Sequence, residues 1–332
     1  MIRAPFKPTQ TGAHRGLLDG WQRRAAIWSV ALAAAAYLIV ALWSGWHEVA
    51  TAATKVGLVG GLVALGLSLA NYALRFVRWQ FYLRAMDHKI AHGPSLQIYV
   101  AGFALTTTPG KAGEALRGVL LLRWGVPFAK SLAAFLSERL SDLVAVVALT
   151  LVGLTTYPAT QPMIALGTAA IGAVLLVISN KTVLSRLRAV AQGPSRWRSL
   201  LRQLSEVLLQ ARRCHSPQLL AVATSLSLVA WAAEAWAFYL ILHWMGLAVP
   251  IEFAVFVYAV SMLAGALSFM PGGLGGAEVA MVALLVMSGV SGAEAIAATV
   301  LIRLATLWFA VALGAVALMT TDTKRGDPPL ED

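Results

Sequence analysis

Charged side chains interrupt apolar sequence at a few places in this chain, and their spacing suggests what they do. Lys111, Glu114 and Arg117 stand three apart directly after a Pro109-Gly110 break. A helix that starts after such a break presents free N–H groups and the positive end of its dipole. With Lys111 and Arg117 beside it, that end suits an anion such as phosphate. Glu138, Arg139 and Asp142 follow, with 138 and 142 sharing one helical face. Glu278 and Arg303 come later, and Glu234 sits inside Ala230-Trp231-Ala232-Ala233-Glu234-Ala235-Trp236. Asn71, Arg75 and Arg78 form an earlier group. A charge at membrane depth costs about 2.5–3.5 kcal/mol on insertion scales, so such residues mark a pathway or a pair.

Part of this set occurs twice. Thr106-Thr107-Thr108-Pro109-Gly110-Lys111-Ala112-Gly113-Glu114 is followed by Gly125-Val126, Ala133-Ala134 and Arg139-Leu140. Ser268-Phe269-Met270-Pro271-Gly272-Gly273-Leu274-Gly275-Gly276-Ala277-Glu278 is followed by Gly289-Val290, Ala297-Ala298 and Arg303-Leu304. Arg139 follows Glu114 by the same 25 positions that separate Arg303 from Glu278. A repeated, Gly/Pro-broken, charge-bearing segment in an apolar chain is the signature of a transporter binding site.

The charges have two readings. Glu114 with Arg139, and Glu278 with Arg303, either act as struts holding each turn to its following span or serve as ligand-binding residues. Lys111 has the strongest claim to a ligand role, because the second copy puts glycine at the matching turn. Arg75 and Arg78 fit snorkelling at headgroup level better than ligand binding. Glu138, Arg139 and Asp142 fit a place near the inner surface. Gly272, Gly273, Gly275 and Gly276 lack a preceding strand and the Lys-Ser/Thr of a phosphate loop. They suit close helix approach and hinge freedom instead.

Composition gives these residues their setting. The chain has 332 residues, 59% hydrophobic and 12% charged, against roughly 25% charged in soluble domains. Apolar stretches at 25–46, 56–74, 143–157, 163–179, 217–245, 251–270 and 295–319 predict an all-α integral membrane protein. Strand alternation of the kind a β-barrel requires is missing. The net charge of +11 falls mostly in loops, which encodes topology rather than nucleic-acid binding. Cys214 is the single cysteine and the six histidines form no ligand-spaced pair on a helix, so neither a metal nor another cofactor is expected.

Basic residues set the orientation. Residues 1–24 are a basic cytoplasmic segment, and one membrane domain covers 25–320. Its first repeat covers about 56–157, its second about 217–319, and a cytoplasmic linker fills 181–216. The tail 321–332 returns to the cytoplasm, and Lys55 alone falls in an outer loop, at 46–55. This topology inverts the two copies. Their turns, tipped by Pro109, Gly110 and Gly113 and by Pro271, Gly272, Gly273, Gly275 and Gly276, become hairpins opening from opposite sides. The legs 96–108 and 112–124 are thirteen residues each, about 20 Å as helix, short of the roughly 30 Å core, so the hairpins read as re-entrant. Within the linker, apolar residues at 197, 200, 201, 204, 207, 208 and 211 form one helical stripe with arginines opposite. That pattern suits a helix on an anionic membrane surface, or a linker helix packed on loops.

Thr108-Pro109-Gly110-Lys111-Ala112-Gly113-Glu114, Glu138-Arg139-Leu140-Ser141-Asp142, Pro271-Gly272-Gly273-Leu274-Gly275-Gly276-Ala277-Glu278 and Asn71 with Arg75, Arg78 and Trp79 together resemble the lysylphosphatidylglycerol synthase transmembrane-region family. The resemblance covers about 25–320 and implies a flippase-like domain of a bacterial inner membrane. It implies a stand-alone member without the soluble synthase domain. The expected function is translocation of an anionic or phosphate-bearing lipid between leaflets, with a lipid-synthesis enzyme as a further partner. The alternatives are a non-catalytic scaffold for a lipid-modifying enzyme or glycosyltransferase, and an intramembrane lipid enzyme built on Glu138, Arg139 and Asp142. No nucleophile, metal or nucleotide motif supports the last.

Overall fold

The computed structural model describes residues 46–108, 112–151, 161–192, 195–268 and 270–320. The expected first span, the tip residues Pro109, Gly110 and Lys111, and the tail lie outside them, as does the side chain of Glu114. The described chain is helical, in the order α1 (Trp46–Ala85), α2 (His92–Ala101), a 3-10 turn (Gly102–Leu105), α3 (Ala112–Leu122) and α4 (Phe128–Thr150). Then come α5 (Gln161–Ser179), α6 (Lys181–Val190), α7 (Arg196–Arg213), α8 (Pro217–Trp244) and α9 (Ile251–Leu267). A 3-10 turn (Pro271–Gly273), α10 (Gly276–Met287), α11 (Gly292–Arg303), a π turn (Leu304–Trp308) and α12 (Phe309–Thr320) complete it.

Among the described residues α1, α8 and the continuous run Gly292–Thr320 are long and apolar enough to cross a membrane. α4 has 23 residues, about 35 Å of helix, and is set apart from those three by Glu138, Arg139 and Asp142 in its middle. The fold is that of an all-α polytopic membrane protein. One expectation changes here: 46–55 is helical rather than an outer loop. α1 continues through it with a break at Gly57, whose φ is 66°. Lys55 donates from Nζ to the carbonyl of Met245 at 3.3 Å, a cation placed at the negative end of α8.

The repeated Gly-Val has a mechanical explanation. Gly125 and Gly289 end α3 and α10 in the left-handed region, with φ of 73° and 95°. The amides of Val126 and Val290 then bond back to Leu121 and Leu285 at 3.2 and 3.1 Å. Both are the six-to-one bond of a Schellman stop. Each copy is therefore a short helix, this stop, and a second helix that buries its Ala-Ala pair: Ala133 and Ala134 on α4, Ala297 and Ala298 on α11.

α1, α4 and α8 pack together at the centre, with α9 against α4, α8 and α10. α12 closes on the 3-10 turn after α2, where a side chain added at Gly314 would lie 2.2 Å from the backbone nitrogen of Ala104. The stripe on α7 divides. Val207, Leu208 and Ala211 are buried toward α4, whereas Trp197, Leu200 and Leu204 are exposed beside the arginines.

Candidate functional site

Three helices bring the polar residues together because each spaces them by helical turns. α1 supplies Asn71, Arg75 and Arg78, α4 supplies Glu138, Arg139 and Asp142, and α8 supplies Ser227 and Trp231. Positions three, four and seven apart fall on one face, so all three faces meet inside the bundle.

Asp142 is the hub. Its Oδ1 accepts from Arg78 Nη1 at 2.6 Å and from Trp231 Nε1 at 3.1 Å. Its Oδ2 faces Arg75 Nη2 at 3.2 Å and Arg139 Nη2 at 3.0 Å. Arg78 is 0% exposed and also donates to Ser227. Asn71 accepts from Arg75 and fixes α1 to α8 by donating to the Ala230 carbonyl at 2.8 Å. The Arg75 guanidinium lies over the Trp231 ring, 5.6 Å from its centre.

Glu138 extends the cluster to α3. Arg117 Nη1 donates to its Oε2 at 2.9 Å, and Arg78 Nη2 is 4.0 Å from Oε1. Arg117 reaches Glu138 between aromatic rings, its guanidinium 4.4 Å from the Tyr99 centre, 4.8 Å from Trp79 and 5.7 Å from Phe103. Such stacking between rings suits the flat guanidinium better than an ammonium. A small cavity beside it is lined by Trp79, Arg117, Ser131, Ala134, Phe135 and Glu138.

The second copy builds a different centre. Arg303 Nε donates to Glu278 Oε1 at 2.6 Å, and Nη2 donates to the Gly272 carbonyl at 2.8 Å. The pair that the shared spacing allows is formed here. Gly272, Gly273 and Gly275 have φ of 63°, 68° and 82°, and only glycine turns so tightly without strain. A side chain at Gly272 would lie 3.4 Å from Thr107 Cγ2, so the tip of the second turn rests beside the described end of the first. Gly276 opens α10, and Gly113 of α3 is held against the Gly102 carbonyl. Arg303 precedes the π turn, where Tyr72 donates to the Thr306 carbonyl. π turns of this kind recur at functional sites. Glu234 stands between the two centres and accepts from Tyr258 at 2.6 Å.

Several expectations are corrected. Arg139 forms an ion pair with Asp142, one turn along its own helix, and its side chain is 41% exposed against 5% for Arg303; its pairing with Glu114 lies outside the described residues. The two arginines are matched in sequence but not in environment. Arg75 and Arg78 do not snorkel: the carboxylates of α4 hold them in the interior. Glu138 and Asp142 are likewise buried. The sequence carried a partial signal for this, since α1 has arginines and α4 has carboxylates at turn spacing within apolar helix. Trp231 and Ser227 had no signal beyond sharing a helix with Glu234.

The family profile for the lysylphosphatidylglycerol synthase transmembrane region matches residues 27–314. This chain belongs to that family. It is similar to a UPF0104 membrane protein of Methanothermobacter thermautotrophicus, 24% identical over 84% of this chain and 88% of that protein. It is also 24% identical to a UPF0104 membrane protein of Pyrococcus horikoshii, over 85% of this chain and 93% of that protein. The arginine cluster, the Glu278–Arg303 pair and both turns all fall inside the matched region.

Among the described side chains, four guanidiniums, of Arg75, Arg78, Arg117 and Arg139, are ion-paired with two carboxylates, of Glu138 and Asp142. Nε of all four, and Nη2 of Arg78, are buried without a hydrogen-bond partner. Buried donors of this kind are costly to leave unmade.

Proposed function

We propose that this protein carries an anionic lipid between the leaflets of its membrane. The carrying observation is the gathering of four guanidiniums between α1, α3, α4 and α8, several of their N–H groups unpartnered among the described residues, in a polytopic membrane protein. An anionic headgroup entering the cluster would take up these donors while its chains stay in the lipid. Arg139, half-exposed, is the first contact, and Arg78 the deepest. The two glycine-bearing turns act as the gate, re-entrant from opposite sides, with Arg303 latching one of them. Lys111 adds a cation at the other tip. Glu234 and Glu278 supply countercharge. The chain acts as a carrier and not as an enzyme, in a bacterial cytoplasmic membrane with both termini inside, and a lipid-synthesis enzyme supplies its substrate.

The test is reconstitution into liposomes containing fluorescent anionic or zwitterionic lipid, with an impermeant quencher outside. Wild type is expected to make the inner-leaflet anionic probe accessible and to leave the zwitterionic one protected. Arg78→Gln and Arg139→Gln are expected to lose this activity, the second without loss of fold. Equal accessibility with and without protein, from protein shown to be folded, would overturn the reading in favour of a scaffold.

A further inference from the structure

We infer that the first half of α7 lies on the anionic headgroup layer of the protein's own membrane, Trp197, Leu200 and Leu204 entering the lipid and arginines resting among the headgroups. This holds whether or not the bundle carries lipid. In the second half of α7 the apolar stripe is covered, since Val207, Leu208 and Ala211 are buried where the helix packs on α4. In the first half the same stripe continues without cover. Trp197 is 76% exposed, Leu200 55% and Leu204 49%. Positions 197, 200, 204, 208 and 211 recur at helical spacing, so one face carries both halves. The open half is also held near the bilayer. Three residues, 214–216, join α7 to α8, which is long and apolar enough to cross a membrane. Arg213 pairs with Asp87 at 2.6 Å, and Cys214 Sγ lies 4.0 Å from the Tyr82 carbonyl oxygen. α7 therefore ends beside the end of α1, a second such helix. An apolar face fixed at the ends of two spans has the headgroup layer within reach.

Charge decides what kind of surface fits. Residues 181–213 hold eight cations and one carboxylate, Glu206. Arg213 is paired with Asp87, whereas Arg196, Arg198 and Arg202 are exposed and have no carboxylate partner among the described residues. At about 100° per residue, Arg196 and Arg198 stand on either side of Trp197, and Glu206 faces away from it. Each flanking arginine can lay its stem along the stripe and keep its charge among phosphates. Tryptophan is itself enriched at membrane–water interfaces. A basic rim around an apolar stripe fits a surface that is anionic outside and apolar within, and each cation near such a surface adds to the attraction. A second copy of this chain fits less well, because it would bring the same arginines against these.

The test places a fluorescent maleimide at Leu200→Cys, or at Ser199→Cys on another face, in full-length Cys214→Ser protein. Each variant is shown to melt like its parent and is placed in phosphatidylcholine nanodiscs with or without phosphatidylglycerol. Doxyl-labelled phosphatidylcholine in the discs quenches from the lipid, and iodide quenches from water. The label at 200 is expected to be quenched by lipid, about twofold or more strongly in the discs with phosphatidylglycerol. The label at 199 is expected to be quenched by iodide instead. Replacing Arg196, Arg198 and Arg202 together by glutamine is expected to abolish the effect of phosphatidylglycerol at 200 without changing the melting temperature. Equal lipid quenching in both kinds of disc, or an effect that survives the triple variant, would overturn the anionic surface as the partner. A label at 200 shielded from both quenchers would show that another segment of this chain or a second copy covers the stripe. A label at 200 reached by iodide alone would show a solvated helix, and either of these last two results would overturn the membrane contact.

Discussion

Arg78 and Asp142 lie 64 positions apart and meet at 2.6 Å in the interior. That contact ties α1 to α4, and Asp142 gathers Arg75, Arg139 and Trp231 around the same carboxylate. Removing one partner of such a buried pair leaves the other charge uncompensated. Asp142→Asn is expected to destabilise the fold by about 3–5 kcal/mol. Arg139→Gln, at the exposed rim, is expected to cost less than about 1 kcal/mol. Thermal melting of both variants in detergent checks the contrast, and similar losses would show that Asp142 is not the hub.

Gly314 allows α12 to touch the chain at Ala104. An added methyl group there would meet backbone, which cannot swing aside as a side chain can. Gly314→Ala is expected to cost about 1–3 kcal/mol as overpacking. A melting temperature equal to wild type would show that α12 and the turn after α2 are not so close.

The two turns touch through Thr107 and Gly272. In a Cys214→Ser background, Thr107→Cys with Gly272→Cys, a side chain that the turn at Gly272 holds only under strain, is expected to form a disulfide under mild oxidation, with a melting curve showing that the double variant folds. If the turns gate transport, the oxidised protein is inactive and reductant restores it. Full transport with the disulfide in place would remove the gate from the proposed mechanism.

Cys214 is buried at the end of α7, and burial pushes its thiol up to about 12. The thiolate is the reactive form, so maleimide labelling at neutral pH is expected to be slow in the folded protein and fast in denaturant. Rapid labelling of folded protein would show that the α7–α8 junction opens.

His88, in the loop after α1, lies 3.0 Å from Lys130 Nζ. Burial, and then the Lys130 cation, lower its pKa below the ordinary 6.5. The unfolded chain therefore takes up this proton first as pH falls. Stability is unaffected by this group above about pH 6.5 and decreases below it. Melting temperature against pH is expected to fall less steeply between 7 and 5 in His88→Gln, a modest change at a part-exposed site; superimposable curves would exclude it.

Composition and periodicity determined that the chain is a helical membrane protein, because continuous apolar runs without strand alternation satisfy their backbone groups in lipid as helices. Spacing alone also determined the repeat: Gly125-Val126 and Gly289-Val290 are local helix stops that need no distant partner. Glu278 and Arg303 could be paired from the sequence for a similar reason, as they flank one short helix and its stop. What Arg139 does could not be read the same way, because the first copy also places Asp142 one turn along its own helix, and Arg139 is ion-paired to it. Arg75 and Arg78 read as surface residues for want of their partners, which lie on α4 and α8. Whether a charge in an apolar helix faces headgroups or a buried carboxylate depends on which helix packs against it. That packing is a property of the assembled bundle, and it alone brought the arginines together as a site.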